Sequence, residues 1–237
     1  MSTLSIVNGV LSLIFCTIAI IVGTTIASKY FKHKQRTFLF VGIAWIGLSE
    51  PWFGSSISFL LLVYTGQGLT PEIYAIVSMV FIPFSMLLWL AAVCDLILKK
   101  NKKLLISIFV VLAIIFEIAL FYLLSIDPSL IIILRDPIDA EFQTVIRIFL
   151  LLYIFTILVT GIIFARESLK SDNPEIRLKG KLLLAAFLSW TIGSILDGVL
   201  PLNIITLTFA RIILISSAIE FYCGFLLPNW IKKTFLK

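Results

Sequence analysis

The sequence predicts an all-α fold, a bundle of seven transmembrane helices that form one polytopic domain. Of the 237 residues, 60% are hydrophobic and only 14% are charged, whereas a soluble domain is roughly 45–50% apolar and about 25% charged. Crossing a bilayer takes about 20 apolar residues in a helix. Seven runs of that kind fill the chain, near residues 4–28, 38–64, 72–98, 104–125, 142–165, 180–200 and 204–227.

The positions of the basic residues predict the orientation of this bundle. All lysines follow the first, third or fifth run or lie in the C-terminal tail. The same holds for all arginines except Arg135, Arg147 and Arg211. Cytoplasmic loops of membrane proteins are enriched in Lys and Arg. We therefore expect a multi-pass protein of the cell membrane with its N-terminus outside and its C-terminus in the cytoplasm. The net charge of +6 is then an orientation signal, and no nucleic-acid partner is expected.

The last two runs are separated only by the turn Pro201–Asn203. Both are nevertheless predicted to cross the membrane, because the lysines of the tail must lie on the same side as the other basic segments. The segments between the runs alternate between basic and acidic along the chain, and losing one span would disrupt this alternation. The count of seven therefore depends on this turn.

Four charged residues lie inside the runs, in the half of the membrane that we expect to face outward. They are Glu117, Arg147, Asp197 and Arg211, and their depth follows from a helical rise of about 1.5 Å per residue. A charge in the hydrocarbon costs at least about 2.5–3.5 kcal/mol and usually faces a partner or water. Two interpretations stay open. The four residues form an ion-pair network between spans four to seven, or the arginines bind a carboxylate or phosphate in an outward-opening pocket.

The second run carries a polar, small-residue face around a proline. Pro51 removes a backbone hydrogen bond and predicts a kink or hinge. At 100° per residue, Gly47, Glu50, Gly54 and Ser58 fall on one side of a helix. Small residues allow another helix to approach closely. We therefore expect a neighbouring helix to pack on this face.

Two further carboxylates and a second proline complete the set of candidates. Glu50 and Glu220 lie deeper than the four outer charges and are candidate proton or cation sites. Glu50 is equally well explained as a protonated group that only hydrogen-bonds between helices. Pro83, in the third run, is a second candidate hinge.

Several functional classes are excluded by what the sequence lacks. A retinal pigment needs a lysine in a late helix, but none lies between Lys181 and Lys232. The only histidine, His33, lies in the basic segment between the first and second runs, where it is unsuited to be a ligand of intramembrane haem. No phosphate-binding loop, serine-hydrolase elbow or metal-ligand spacing occurs. We therefore expect no enzyme activity, no metal and no cofactor.

Three stretches carry a resemblance to known proteins: GIAWIGLSEPWFGSSISFLL, FARESLKSDNPEIRLKGKLLLAAF and SSAIEFYCGFLLPNWIKK. They resemble uncharacterised seven-helix membrane proteins of archaea. The layout is more distantly similar to the seven-helix N-terminal sensor region of prokaryotic histidine kinases. The first resemblance implies fold and topology, and the second implies sensing through a cytoplasmic or membrane signalling partner.

The sequence thus favours a sensor or receptor-like protein with an outward-opening polar pocket. In that interpretation Arg147 and Arg211 bind an anion, Glu117 and Asp197 pair with them, and movement at Pro51 couples the pocket to the cytoplasmic side. The alternative is a proton- or ion-coupled carrier of small solutes that uses Glu50 and Glu220. A second alternative is a scaffold without a small-molecule ligand.

Overall fold

The computed structural model describes residues 1–199 and 203–236. Within these ranges, seven helical spans are long and apolar enough to cross a membrane, and each matches one predicted run. In chain order they are Thr3–His33, Arg36–Thr65, Pro71–Leu96, Lys99–Ile126, Thr144–Leu169, Pro174–Gly198 and Ile204–Leu226. The fold is therefore all-α and that of a multi-pass membrane protein. Residues 200–202, which include most of the predicted turn before the seventh span, lie outside the described residues.

The sixth span begins earlier than its apolar run predicts. The helix starts at Pro174, whereas the run begins near residue 180. Proline is favoured at the first position of a helix because it has no N–H to leave unpaired. Asn173 supports this start, since its side chain accepts a hydrogen bond of 2.8 Å from the backbone N–H of Glu175. Charged residues at the start of this helix masked the boundary in the hydropathy pattern.

The second and third spans are each interrupted near their middle, where the sequence places Pro51 and Pro83. The second span consists of the helices Arg36–Leu48 and Phe53–Thr65, joined through a 3-10 turn at Glu50–Trp52. The third consists of Pro71–Met79 and Ile82–Leu96. Both predicted hinges therefore coincide with a break in regular α-helix.

These two breaks face each other across a close contact. Gly47, Glu50, Gly54 and Ser58 are all buried, as expected for a face that receives a neighbouring helix. A Cβ atom added at Gly54 would lie 2.5 Å from a ring carbon of Tyr74 in the third span, which is far inside van der Waals contact. The small residues of the predicted face thus permit the approach of the third span.

The spans pack around the bundle largely in the order in which they occur in the chain. The first span contacts the second and the seventh; the seventh contacts the sixth, and the sixth contacts the fifth. The third span lies against the second and the fourth, and its second helix also touches the fifth. Aromatic contacts such as Phe116 with Phe149, 5.2 Å between ring centroids, connect the fourth and fifth spans. The result is a ring of helices around a shared interior.

Aromatic side chains fill the middle of this interior and the part towards the basic end, the end that carries the lysine-rich segments. Trp45 stacks on Phe221 with 3.8 Å between ring centroids, and Phe187 meets Phe221 edge to face at 5.7 Å. The indole N–H of Trp89 donates to Thr160 Oγ1 at 2.8 Å. Such packing leaves the space near the opposite end as the place for a cavity.

A two-stranded hairpin stands between the fourth and fifth spans and defines that opposite end, called the hairpin end below. Its strands are Ile132–Leu134 and Ala140–Phe142, antiparallel, with Ile132 opposite Phe142. This segment lies between the fourth and fifth predicted runs. The hairpin is attached to the bundle by tertiary contacts, since Tyr74 donates to the carbonyl of Ile138 at 3.2 Å and Ser58 donates to that of Pro137.

A short helix, Asn229–Phe235, follows the seventh span at the basic end. It exposes 59% of Trp230 and 61% of Phe235, and Lys232 forms an ion pair of 2.7 Å with Glu175. Aromatic and basic residues together are typical of a segment that lies at the membrane surface. This helix lies beyond the last predicted run, which ends near residue 227.

Candidate functional site

The buried cation of the hairpin half is Arg211, in the third turn of the seventh span. Its residue is only 3% exposed. Its Nη2 donates to Asn8 Oδ1 in the first span at 3.0 Å, and its Nε lies 3.3 Å from Asp197 Oδ1 in the sixth. Its guanidinium also lies 5.8 Å from the ring centroid of Trp52, within range for a cation–π interaction.

Asp197 and Trp52 complete this group, which we call the Arg211 cluster: Asn8, Trp52, Asp197 and Arg211. The second carboxylate oxygen of Asp197 accepts a hydrogen bond of 2.8 Å from the indole N–H of Trp52. Both oxygens of the acid are therefore engaged. The pairing of Arg211 with Asp197 that the sequence suggested is present, and the cluster connects spans one, two, six and seven.

The cluster leaves part of the guanidinium without a partner. A guanidinium carries five N–H groups and no acceptor. In the described part of the chain, Nη1 of Arg211 has no hydrogen-bond partner, and Nε forms the ion pair without a hydrogen bond of good geometry. A buried donor without a partner costs roughly 1–3 kcal/mol, and more when it is charged. These donors are therefore available to an added acceptor.

Arg211 belongs to the wall of a cavity of about 540 Å³ at the hairpin end. Ligand pockets for small organic molecules measure roughly 300–1,000 Å³. Spans two, three, five, six and seven and the hairpin all contribute to the wall. The lining residues include Trp52, Arg135, Asp139, Glu141, Arg147, Leu150, Leu151, Tyr153, Ile154, Trp190, Ser194, Ile195, Asp197 and Arg211.

Three more polar groups of the wall are buried without a partner among the described residues. They are the hydroxyls of Tyr153 and Ser194 and the Oδ2 atom of Asp139. Burial raises the pKa of Asp139, against the opposing effect of Arg135. A protonated Asp139 donates a hydrogen bond as well as accepting one. The cavity thus offers several hydrogen-bonding groups on otherwise apolar walls.

The rim of the cavity is formed by a carboxylate between two arginines. Glu141 binds Arg135 at 2.7 Å through one oxygen and Arg147 through the other. The hydrogen bond and charge of Arg135 are the main cause of the lowered pKa of Glu141. Both arginine side chains are about half exposed, so this rim is the polar entrance to the cavity.

The expected partners of Arg147 and Glu117 were wrong. Arg147 lies in the first turns of the fifth span, which starts at Thr144, and its long side chain reaches the end of the helix, where it also donates to the carbonyl of Phe142 at 2.7 Å. Glu117 is half-buried on the fourth span and forms no ion pair with any described residue. It does not line the cavity.

Glu50 lies behind the cavity wall, where the second and third spans are interrupted. Its Oε1 accepts a hydrogen bond of 2.8 Å from the backbone N–H of Phe81, immediately before the helix Ile82–Leu96. The N-terminus of a helix has unpaired N–H groups and a partial positive charge, so a carboxylate is favourable there. Its Oε2 is buried without a partner in the described structure.

Glu220 lies apart from these groups. It accepts a hydrogen bond of 2.8 Å from Ser216, one turn earlier on the same helix, and it is absent from the cavity wall. No hydrogen bond or ion pair described for the chain connects it with Glu50. The structure therefore brings Asp197 and Arg211 together with Arg147 at one cavity and keeps Glu117, Glu50 and Glu220 outside it.

Two contributors to the site were missed by the sequence analysis. Asn8 was overlooked inside an apolar run, although Ser5, Asn8 and Ser12 recur at helical spacing and mark a polar stripe. The hairpin residues Asp139 and Glu141 lie between the fourth and fifth predicted runs and were not among the candidates. Their position over the cavity depends on contacts with distant spans, which no local pattern reveals.

The chain matches no family model, and no curated protein and no solved structure is significantly similar to it. The site is therefore characterised by its own geometry: a buried, incompletely paired arginine at an open, mainly apolar cavity in an integral membrane protein.

Proposed function

We propose that this protein is a receptor-like membrane protein whose cavity at the hairpin end binds a small organic anion. The observation that carries the proposal is Arg211, a residue of the cavity wall that is 3% exposed and has donors without partners in the described structure. Planar guanidinium groups bind carboxylates and similar anions through two parallel hydrogen bonds. An anion in the cavity would satisfy these donors.

The charges around the cavity support an anionic ligand. Three arginines and three acids line it: Arg135, Arg147, Arg211, Asp139, Glu141 and Asp197. Burial raises the pKa of Asp139 and so favours its neutral form. When Asp139 is protonated, the lining carries one net positive charge. A ligand with one negative charge then neutralises the cavity.

The apolar part of the wall indicates what else the ligand carries. Leu150, Ile154, Trp52 and Trp190 face the cavity, and such a surface favours an aliphatic or aromatic body. Burial of apolar area contributes roughly 25 cal/mol per Å². A ligand that combines an anionic group with a compact apolar body therefore fits better than a strongly hydrated ion.

Orientation and coupling complete the proposal. The positive-inside rule puts the basic end in the cytoplasm and the cavity at the outer face. Trp52, a member of the Arg211 cluster, belongs to the interrupted segment Glu50–Trp52 of the second span. A ligand that shifts Trp52 would move this segment and, through it, the cytoplasmic half of the span, where a signalling partner would respond.

The test is a thermal-shift titration of the purified protein with benzoate and benzenesulfonate, which combine one anionic group with an aromatic ring. A ligand at 100 times its Kd stabilises the folded state by about 2.7 kcal/mol. The informative variant is Arg211→Gln combined with Asp197→Asn, which removes both charges and leaves no unpaired ion. We expect it to fold and to lose the ligand-induced shift. Arg147→Gln, at the rim, should keep most of the shift, and an undiminished shift in the double variant would contradict the proposal.

A second candidate, an ion-coupled carrier, is favoured by the facing breaks of the second and third spans. Interrupted helices near the midplane are typical of transporters, whose binding sites use the ends of the half-helices. Glu50 occupies such an end. The test is uptake of benzenesulfonate, which does not cross a bilayer unaided, into proteoliposomes under a pH gradient. Uptake that disappears in Glu50→Gln would support the carrier, and binding without uptake would support the receptor. Absence of any ligand response would favour a scaffold.

A further inference from the structure

Two lining residues of the cavity, one on the fifth span and one on the sixth, are also exposed on the outside of the bundle. Leu151 and Ile195 both line the cavity, yet they are 51% and 40% exposed. Deeper lining residues of the same two helices, Tyr153 and Trp190, are 3% and 5% exposed. The exposure of Leu151 and Ile195 therefore comes from the outside of the bundle and not from the cavity itself.

Both residues belong to the stripes that these helices turn towards the bilayer. Leu151 follows Ile148, which is 62% exposed, and precedes Phe155, which is 63% exposed. Ile195 continues the stripe of Ile192, which is 49% exposed. Each stripe thus reaches the cavity at one residue, and we call the edge of the cavity marked by Leu151 and Ile195 the lateral gap.

The depth of the lateral gap places it at the edge of the hydrocarbon. The fifth span has 26 residues, which measure about 39 Å at about 1.5 Å per residue and exceed a hydrocarbon core of about 30 Å. Leu151 lies two turns into this span, so it falls several Å inside the hydrocarbon. Arg147, one turn nearer the helix end, is polar and belongs to the rim. The opening therefore passes from a polar rim to an apolar gap at the depth where a lipid headgroup meets its chain.

We infer that the ligand is an anionic single-chain amphiphile that enters from the bilayer through the lateral gap. This inference rests on the proposed function and specifies its ligand class. The headgroup, a carboxylate or a phosphate, binds the free donors of Arg211, while the first part of the chain lies on Leu150 and Ile154 and the remainder extends through the gap. An amphiphile needs no desolvation of its chain, because the chain moves from one apolar medium to another.

The test measures binding of labelled palmitate and hexadecyl phosphate to the full chain in nanodiscs of zwitterionic lipid, with empty nanodiscs as background. Ile195→Trp places a large ring in the gap, and Ile192→Trp is its control, because that residue has the same type and similar exposure but does not line the cavity. We expect palmitate to bind about tenfold more weakly to Ile195→Trp, because the added ring occupies space through which the chain extends and forces the chain to repack. Benzenesulfonate, which enters from water at the rim, should bind both variants as it binds the wild type.

The outcomes separate this inference from the function on which it rests. If palmitate binds Ile195→Trp as tightly as Ile192→Trp, or if acetate competes as well as palmitate, the lateral entry is wrong while the anion site stands. If neither palmitate nor benzenesulfonate binds the wild type, both proposals fail. Should Ile195→Trp not fold, Leu151→Trp tests the opposite side of the gap, with Phe155→Trp as its control.

Discussion

Removing the charge of Asp197 should destabilise the protein strongly, because among the described residues this acid is the only one that forms an ion pair with the buried cation Arg211. Asp197→Asn keeps the size of the side chain and an acceptor for Trp52, but it leaves Arg211, 3% exposed, with one neutral hydrogen bond to Asn8. Breaking a buried ion pair by removing one partner costs about 3–5 kcal/mol. For a chain of 150–250 residues, 1 kcal/mol corresponds to roughly 2–4 °C in Tm. We therefore expect Tm to fall by about 6–12 °C at the low end of this cost.

The assay is thermal unfolding in one detergent at fixed pH, monitored by tryptophan fluorescence. Arg211→Gln combined with Asp197→Asn should recover most of the loss, because replacing both partners leaves no unpaired charge. Glu167→Gln is the control, since its ion pair with Lys170 is largely exposed and exposed pairs contribute little. A Tm of Asp197→Asn within about 2 °C of the wild type would refute the assignment of a buried, interdependent pair, because 1 kcal/mol already corresponds to roughly 2–4 °C. A double variant that is less stable than Asp197→Asn would refute it as well.

Three further predictions concern other parts of the site. Burial raises the pKa of Asp139, so benzenesulfonate, which stays ionised, should bind more tightly as the pH falls through that pKa. The free energy of unfolding should follow the same direction. The contribution of Asp139 is present at low pH and is lost as the pH rises through the pKa of this group in the folded protein. Calorimetry should show both dependences disappear in Asp139→Asn. Gly47→Leu should lower Tm by forcing the second and third spans apart, at a cost of about 1–3 kcal/mol or more. Gly198→Ala is the control, since Gly198 has open space around it, and its Tm should not fall. Equal Tm values for the two variants would contradict the close packing at Gly47. Glu50→Leu should destabilise the protein by about 1–3 kcal/mol because it removes the acceptor for the backbone N–H of Phe81. Glu50→Gln keeps an acceptor and should be more stable than Glu50→Leu. Equal stability of the two variants would show that this hydrogen bond is unimportant.

The seven spans could be predicted because the bilayer imposes a simple requirement on them. A crossing helix needs a long apolar run, and the runs of this chain are interrupted by charges or turns at nearly every boundary. The exception was the start of the sixth span at Pro174, where the helix extends through charged residues into water. The breaks at Pro51 and Pro83 were predictable for a similar reason, since proline removes a backbone donor wherever it occurs.

The partners of the buried charges were predictable only in part. Depth along the membrane follows from the rise per residue, and it correctly placed Asp197 and Arg211 at similar levels. Depth says nothing about direction around the bundle, and Arg147 turned towards Glu141 at the rim while Glu117 stayed outside the cavity. The tertiary packing, which fixes the direction in which each side chain points, was needed to decide these pairings.

Asn8 and the hairpin show a second limit of sequence-based prediction. A single polar residue in an apolar helix is compatible with many positions, and only the contact of 3.0 Å with Arg211 gives Asn8 a role. The hairpin holds its place through the hydroxyls of Ser58 and Tyr74, which lie far away in the sequence. Such a segment has no periodic signal of its own.

The central claim is that an anion occupies the cavity and binds Arg211. The most direct measurement is a crystal structure of the protein grown with para-bromobenzoate, with data collected at the bromine absorption edge. We predict an anomalous peak inside the cavity lined by Leu150 and Ile154, with the carboxylate within hydrogen-bonding distance of Nη1 of Arg211. A well-ordered cavity without bromine at saturating ligand, or a peak only on the lipid-facing surface, would contradict the claim.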